Sequence, residues 1–309
     1  MKNEPEIDHY SAEDIRAQIS RVLRDLDDPE PPLDLNHVRS LLKLDLNYYS
    51  STDLNLLDEI SHKLKVAGKT LVDRPTRFTD VVKKAKLNAL WIPSDRCILI
   101  DDEVPELKHR HIQAHEITHS ITPWHRDFLL GDNDITLKPQ CHDMIEAEAN
   151  YGAGQLLFLL DKFKNESRDL DLSWKSIQIL KNRYKNTLTT TLWHWVEERD
   201  STLPVVGLIS RHPKHPEIGG GTDGADCTHF IRSIGFLRQF PNFDAEAIYA
   251  IVSRYVTYRP RGPVGSSTEQ LTDINGDTYE FYFDSFSNSY SLLTFAFAKK
   301  KLAKSVVVL

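Results

Sequence analysis

The segment His115-Glu116-Ile117-Thr118-His119 constrains this chain more than any other five residues. On an α-helix, positions i and i+4 lie about one turn apart on the same face, so both imidazoles reach a single cation. Glu116, one residue along, then points towards water at a further coordination position. That is the arrangement of a hydrolytic zinc site. The flanking residues agree with a helix. Asp101 and Asp102 offer N-cap oxygens, Pro105 suits a first turn, and Glu106 complements the positive end of the helix dipole. Leu107, Ala114, Ile117 and Ile121 recur as an apolar stripe, and Pro123 stops the run. The alternative is a surface helix that carries histidines by chance.

Hydrolytic zinc needs three protein ligands and one position left for water. A second stretch, Ile145 through Ala149, Leu156 and Leu160, has the spacing of a buried helix. Its small residues, Ala147, Ala149, Gly152, Ala153 and Gly154, would let a neighbouring helix approach closely. Glycine inside a helix costs about 1 kcal/mol relative to alanine, so packing or nearness to a site is the reason to expect it there. Glu146 and Asn150 are again one turn apart. Such a carboxylate can bind a metal while the amide holds a ligand histidine by its other ring nitrogen.

Together these segments resemble the ImmA/IrrE metallopeptidases, a family of gluzincin type. In that family a short hairpin precedes an HExxH helix. A later helix carries a Glu four residues before an Asn or Asp, then an Ala/Gly-rich stretch and a Leu-Leu pair. The matching residues are Ala114 to His119, Ile145 to Asn150, and Gly152 to Leu157, and the resemblance is specific over roughly residues 85–160. It implies that His115 and His119 are zinc ligands, Glu116 the catalytic base, and Glu146 the third ligand, with Asn150 behind a ligand histidine. Glu148 is the alternative third ligand, because the family often has an acid there as well. Where the family usually places Met-Pro after Leu-Leu, this chain has Phe158-Leu159.

The resemblance further implies an α+β fold. A mainly helical, zincin-like metallopeptidase domain with a small β-sheet or hairpin would be followed by a helical hairpin and a small α/β C-terminal domain, GAF-like in some members. The substrate would be a protein, such as a transcriptional repressor cleaved on a stress or mobile-element signal. Two other readings stay open: a metal-binding transcriptional regulator without proteolysis, and a protease toxin or defence effector.

Composition narrows the setting. The formal net charge of −7 disfavours unspecific binding to nucleic acid. No run of eighteen apolar residues occurs, so no membrane helix is expected. Met1 to Glu6 lacks the basic and apolar regions of a signal peptide. Cys97, Cys141 and Cys227 are too scattered, and odd in number, for a disulfide framework. A cytoplasmic protein is expected.

Along the chain, a helix is expected over 10–26, with Ser11 as cap and Ile15, Ile19, Val22 and Leu23 on one face. Asp27 to Pro32 reads as a proline-stiffened linker. Helices follow at about 34–45 and 53–66, then a hairpin over 89–100 with a Pro-Ser-Asp turn. The 123–140 connection either borders the substrate cleft or packs as an Ω-loop. Residues 173–199 have a helix-turn-helix silhouette. DNA contact would run through Lys175, Lys181, Arg183, Lys185 and the threonine run. The favoured reading is a packing hairpin, because its second helix offers no Arg, Lys or Gln for base edges before Arg199.

Strands are expected around 203–209, 279–283 and 291–297, and a helix over 245–255. These patterns suggest four segments: residues 1–32, 33–162, 163–200 and 201–309. His212, His215 and His229 invite a second metal site, but histidines beside prolines in a loop are expected to be surface features. His109, His111, His125 and His142 lie near the main site in sequence, either behind its ligands or in solvent. His142 and Tyr151 are candidates for stabilising an oxyanion.

Overall fold

The computed structural model describes residues 7–49, 89–92, 95–125, 139–216 and 227–303. The helix expected at 53–66, the hairpin turn at 93–94, most of the long loop (126–138) and the glycine cluster at 219–224 lie outside them. The fold is mixed α and β, and the chain divides into two compact units, residues 4–161 and 162–309.

The N-terminal unit contains α1 (His9–Asp25), α2 (Leu35–Leu42), β1 (Asp45–Tyr49), β2 (Ala89–Ile92), β3 (Cys97–Asp101), α3 (Glu106–Ile121) and α4 (Pro139–Leu157). Asp8, not Ser11, caps α1: its Oδ1 accepts from the backbone N–H groups of Tyr10 and Ser11. Ile15, Ile19, Val22 and Leu23 are buried, and α1 packs against α4. The two helices and α3 meet at Gly152. A Cβ there would overlap Thr118 Cγ2 on α3 and come within 3.0 Å of Ile15 Cγ2 on α1. The prolines after α1 read as a boundary, but the apolar face of α1 has to be covered, and α4 covers it within the same unit.

The second helix is shorter than expected. It ends at Leu42, where Lys43 takes a left-handed conformation (φ 53°) and turns the chain into β1. β1 lies parallel to β3, with Asp45 opposite Cys97 and Tyr49 opposite Asp101, while β2 is antiparallel to β3. The central strand is apolar on both faces, with Cys97 to Ile100 all buried, as a strand flanked on both edges and covered by a helix must be. β1 leaves little trace in the sequence, because Asp45-Leu46-Asn47-Tyr48-Tyr49 shows no clean apolar alternation and is largely exposed.

The C-terminal unit takes up α5 (Asp161–Arg168) beyond its first residue. It continues through α6 (Trp174–Tyr184), α7 (Leu188–Glu197), β4 (Val205–Ser210), β5 (Cys227–Arg232), α8 (Ile234–Gln239), α9 (Ala245–Tyr255), β6 (Arg261–Thr272), β7 (Thr278–Asn288) and β8 (Leu292–Lys301). The strands form one antiparallel sheet in the order β5-β4-β8-β7-β6. From Glu280 onward β7 alternates in burial, and each of its faces meets a different layer. Phe281 and Phe283 pack with Phe236, Phe240, Tyr249 and Val252 of α8, α9 and the chain between them. On the opposite face, Phe286 and Phe295 meet Trp174 of α6, and Phe295 meets Trp195 of α7. The helical pair at 163–200 therefore belongs to the same unit as the sheet, whose second face it covers. The β6–β7 hairpin closes through Gly276 at φ 75°, with Asp273 Oδ1 accepting from the backbone N–H groups of Asn275 and Asp277.

The residues considered for DNA contact divide. Arg183 makes a multiply bonded ion pair with Glu166, whereas Lys175 and Lys185 are exposed. Arg199 is buried, with its guanidinium 4.2 Å from the Trp195 ring centre and donating to the Ser167 carbonyl. His212 and His215 both pack their rings on Tyr258, and His229 packs on Trp193. Cys97 and Cys227 are buried thiols, and the Cys141 side chain lies outside the described residues. No helix among the described residues is long and apolar enough to cross a membrane.

Asp284 lies on the α6-facing side of β7, and burial pushes its carboxyl up to about 6. An acid whose pKa is raised on folding favours the folded state below its ordinary value, and that contribution is lost as pH rises through about 6. Asp284→Asn is accordingly expected to stabilise the protein near neutral pH by about 1–2 kcal/mol, after allowing for partial solvent screening. The gain should vanish towards about pH 4. Thermal unfolding at the two pH values checks this; a gain independent of pH would contradict it.

Candidate metal centre

The helix that carries the HExxH segment starts without a side-chain cap. Pro105 occupies the N-cap position, and neither aspartate serves it. Asp101 belongs to β3, and its Oδ1 accepts from the Glu103 N–H, while the Asp102 N–H is bonded to the Tyr49 carbonyl. Glu106 sits in the first turn, favourably placed for the dipole. The helix ends at Ile121, as Thr122 turns extended before Pro123. Between its ends α3 is packed against β2 and β3 and against α4, and Ala114 and Ile117 are fully buried. Gly152 lets α4 come close enough for its side chains to reach those of α3.

Three side chains from these two helices converge. His115 Nε2 and His119 Nε2 are 3.1 Å apart, and the Glu146 carboxylate lies 3.3 Å from the first and 3.7 Å from the second. Three ligand atoms, one from each residue, all lie within 4.8 Å of one another, and no other such group is found among the described residues. A tetrahedral centre with metal–ligand bonds of about 2.0–2.1 Å has edges of roughly 3.3 Å, so these separations suit zinc. Two imidazole nitrogens this close repel unless a proton or cation lies between them. The Glu146 side chain is 41 % exposed, against 14 % for His115 and 5 % for His119, so the cluster is open to solvent on the Glu146 side.

The other ring nitrogens are already engaged. His115 Nδ1 is 2.9 Å from Asn150 Oδ1, and the amide oxygen can only accept, so Nδ1 donates and in the neutral ring Nε2 keeps its lone pair. His119 Nδ1 is 3.0 Å from His125 Nδ1, and His125 Nε2 is 2.8 Å from Glu148 Oε2. Trp124 Nε1 donates to the same oxygen at 2.7 Å. Glu148 thus faces Trp124 and His125, and Glu146 is the acid beside the two Nε2 atoms. Two imidazole nitrogens and one carboxylate form a donor set that fits a hydrolytic zinc site.

Electrostatics separate the acids. Burial pushes the Glu116 carboxyl up to about 7; Glu146 adds to this, while His115 and the Trp91 backbone N–H oppose it. Burial alone would raise Glu148, but hydrogen bonds from His125, Trp124 and Ser11 outweigh it and hold the group below the usual carboxylate range. For His115 the desolvation that would depress it is outweighed by Glu146, Glu116 and Asn150, so it lies above the ordinary histidine value. Burial, with His115 beside it, takes His111 down to about 4. Burial pushes the Tyr49 phenol up to about 12, with Asp101 and Glu116 adding to it, so it remains a neutral hydroxyl.

Of the other histidines near the motif, His109 Nε2 donates to the Val104 carbonyl, and the His142 side chain lies outside the described residues. Tyr151 is half-buried on α4. The direct links from His125 to His119 and to Glu148 were not read from sequence. The available signal was a histidine six residues past His119 and an acid two past Glu146.

No family model matches the chain, and no curated protein matches it. Among solved structures it is similar to one described as a Mycobacterium tuberculosis transcriptional regulator. The TM-score is 0.50 at 10 % identity, covering 96 % of this chain and 89 % of that one. At that identity the likeness is one of fold alone.

Proposed function

We propose that this chain is a zinc-dependent endopeptidase of the gluzincin type, and that its substrate is a regulatory protein such as a transcriptional repressor. One observation carries the reading: His115 Nε2, His119 Nε2 and the Glu146 carboxylate converge within 4.8 Å, with Glu116 buried beside them. His115, His119 and Glu146 would hold the metal. Zinc, when bound, supplies a Lewis acid that polarises a peptide carbonyl and acidifies water. Glu116 takes the proton from the attacking water and returns it to the leaving amine. Asn150 fixes the His115 ring from behind, and the solvent-facing Glu146 side gives a peptide its approach. The zincin-like assignment of the N-terminal unit and a GAF-like sensor role for the C-terminal unit rest on the ImmA/IrrE resemblance, as does the choice of repressor.

The competing reading is a metal-binding transcriptional regulator without proteolysis, to which the name of the structural neighbour draws attention. Cleavage separates the two. The purified protein is expected to hold zinc stoichiometrically and to cut a candidate repressor into discrete fragments. Chelation should abolish the cutting, and added zinc should restore it. Intact substrate across a broad repressor panel, with zinc bound throughout, would count against the proposed substrate class.

A further inference from the structure

Building on the metal site proposed above, we infer that His125, backed by Glu148 and Trp124, is a positioning residue that locks the ring of His119 with Nε2 turned to the cation. The argument runs inwards from the carboxylate. Glu148 Oε2 accepts from Trp124 Nε1 at 2.7 Å and from His125 Nε2 at 2.8 Å. With its Nε2 proton so committed, His125 can accept at Nδ1, which lies 3.0 Å from His119 Nδ1. His119 must then donate from Nδ1, which leaves its Nε2 lone pair facing His115 and Glu146.

Burial makes this chain of bonds hard to replace. His125 is fully buried, and His119 and Glu148 are nearly so, so water has little access to take over a lost contact. The two ligand histidines are also supported differently. His115 is backed by a neutral amide, whereas His119 is backed through an imidazole by a carboxylate. The second arrangement increases the basicity of the ligand nitrogen more, so His119 is the stronger donor of the pair. Trp124 and His125 lie just past the end of α3, where the chain folds back over Glu148 on α4, so the connection locks together the two helices that supply the ligands.

Two substitutions at one position test this. Asn at 125 keeps an oxygen near the place of Nδ1, able to accept from His119, and gives up the bond to Glu148. Gln at 125 keeps a donor near the place of Nε2, satisfying Glu148, and gives up the bond to His119. His125→Gln is expected to weaken zinc binding by about 10–100-fold in a chelator competition and to alter the visible absorption of the cobalt-substituted protein. His125→Asn should lose less than His125→Gln, because an acceptor for His119 Nδ1 remains. A purely structural role predicts the reverse order, since Asn leaves Glu148 short of a partner; that order, or unchanged affinity in both variants, overturns the inference.

Should either variant fail to fold, imidazole nitrogen NMR of the zinc-loaded parent protein decides instead. A protonated Nε2 and bare Nδ1 on His125 supports the inference, and the opposite tautomer overturns it. A parent protein that takes up no zinc would instead sink the metal site itself, an outcome distinct from zinc bound with equal strength by parent and variants.

Discussion

Glu116→Gln is expected to abolish cleavage while leaving zinc in place. Gln keeps the volume and most of the polarity of the side chain, so α3 and the two ligand imidazoles should be undisturbed. What disappears is the carboxylate that accepts a proton from water. General acid–base catalysis of this kind contributes about 10²–10⁴-fold, or roughly 3–6 kcal/mol of barrier. The loss should appear in kcat, with zinc stoichiometry and affinity close to those of the parent. Removing the carboxyl also relieves a burial penalty, since it is the low-dielectric setting that raises Glu116 to about 7. The variant should therefore melt no lower than the parent. Full activity in Glu116→Gln would show that the metal site serves structure or sensing and not hydrolysis.

Glu146→Ala tests the other half of the site. Its side chain is 41 % exposed, so its loss should leave the fold intact, unlike truncation of the buried Glu148. Zinc sites of four ligands bind with apparent free energies of about 10–16 kcal/mol, so one ligand accounts for roughly 3 kcal/mol. That converts to an affinity loss of about 100-fold, measurable by chelator competition. Cleavage at limiting zinc should fall in parallel and recover in part when zinc is raised. Undiminished affinity would mean that another acid completes the site, and the proposed ligand set would have to be abandoned.

The contrast between Glu146 and Glu148 shows how far local pattern goes. Both lie on the same helix, two residues apart, and a helical rotation of about 200° separates their side chains. Once one faces the HExxH helix, the other must point elsewhere, yet periodicity alone does not say which. Asn150 was legible beside Glu146 because the two share a face one turn apart. The pairing of Glu148 with Trp124 and His125 was not, because it depends on how the chain doubles back after Thr122. In the sheets, the apolar β3 and the alternating β7 stood out. By contrast β6, Arg261-Gly262-Pro263-Val264-Gly265-Ser266 onward, buries only Val264 and Leu271 and hides its strand character at the edge of the sheet.

What the amino-acid order determined by itself was local: two imidazoles one turn apart with an acid between them, and a second helix with a carboxylate and an amide one turn apart. These follow from the pitch of an α-helix, which every residue in it obeys whatever surrounds it. Tertiary structure alone decided which acid meets the imidazoles, what stands behind each ring, and that α1 and the 163–200 helices belong to larger units. Those outcomes depend on helix–helix distance and on apolar faces finding cover, as at Gly152 and on the second face of the C-terminal sheet. Such constraints act between segments far apart in the chain, so no short window of sequence contains them.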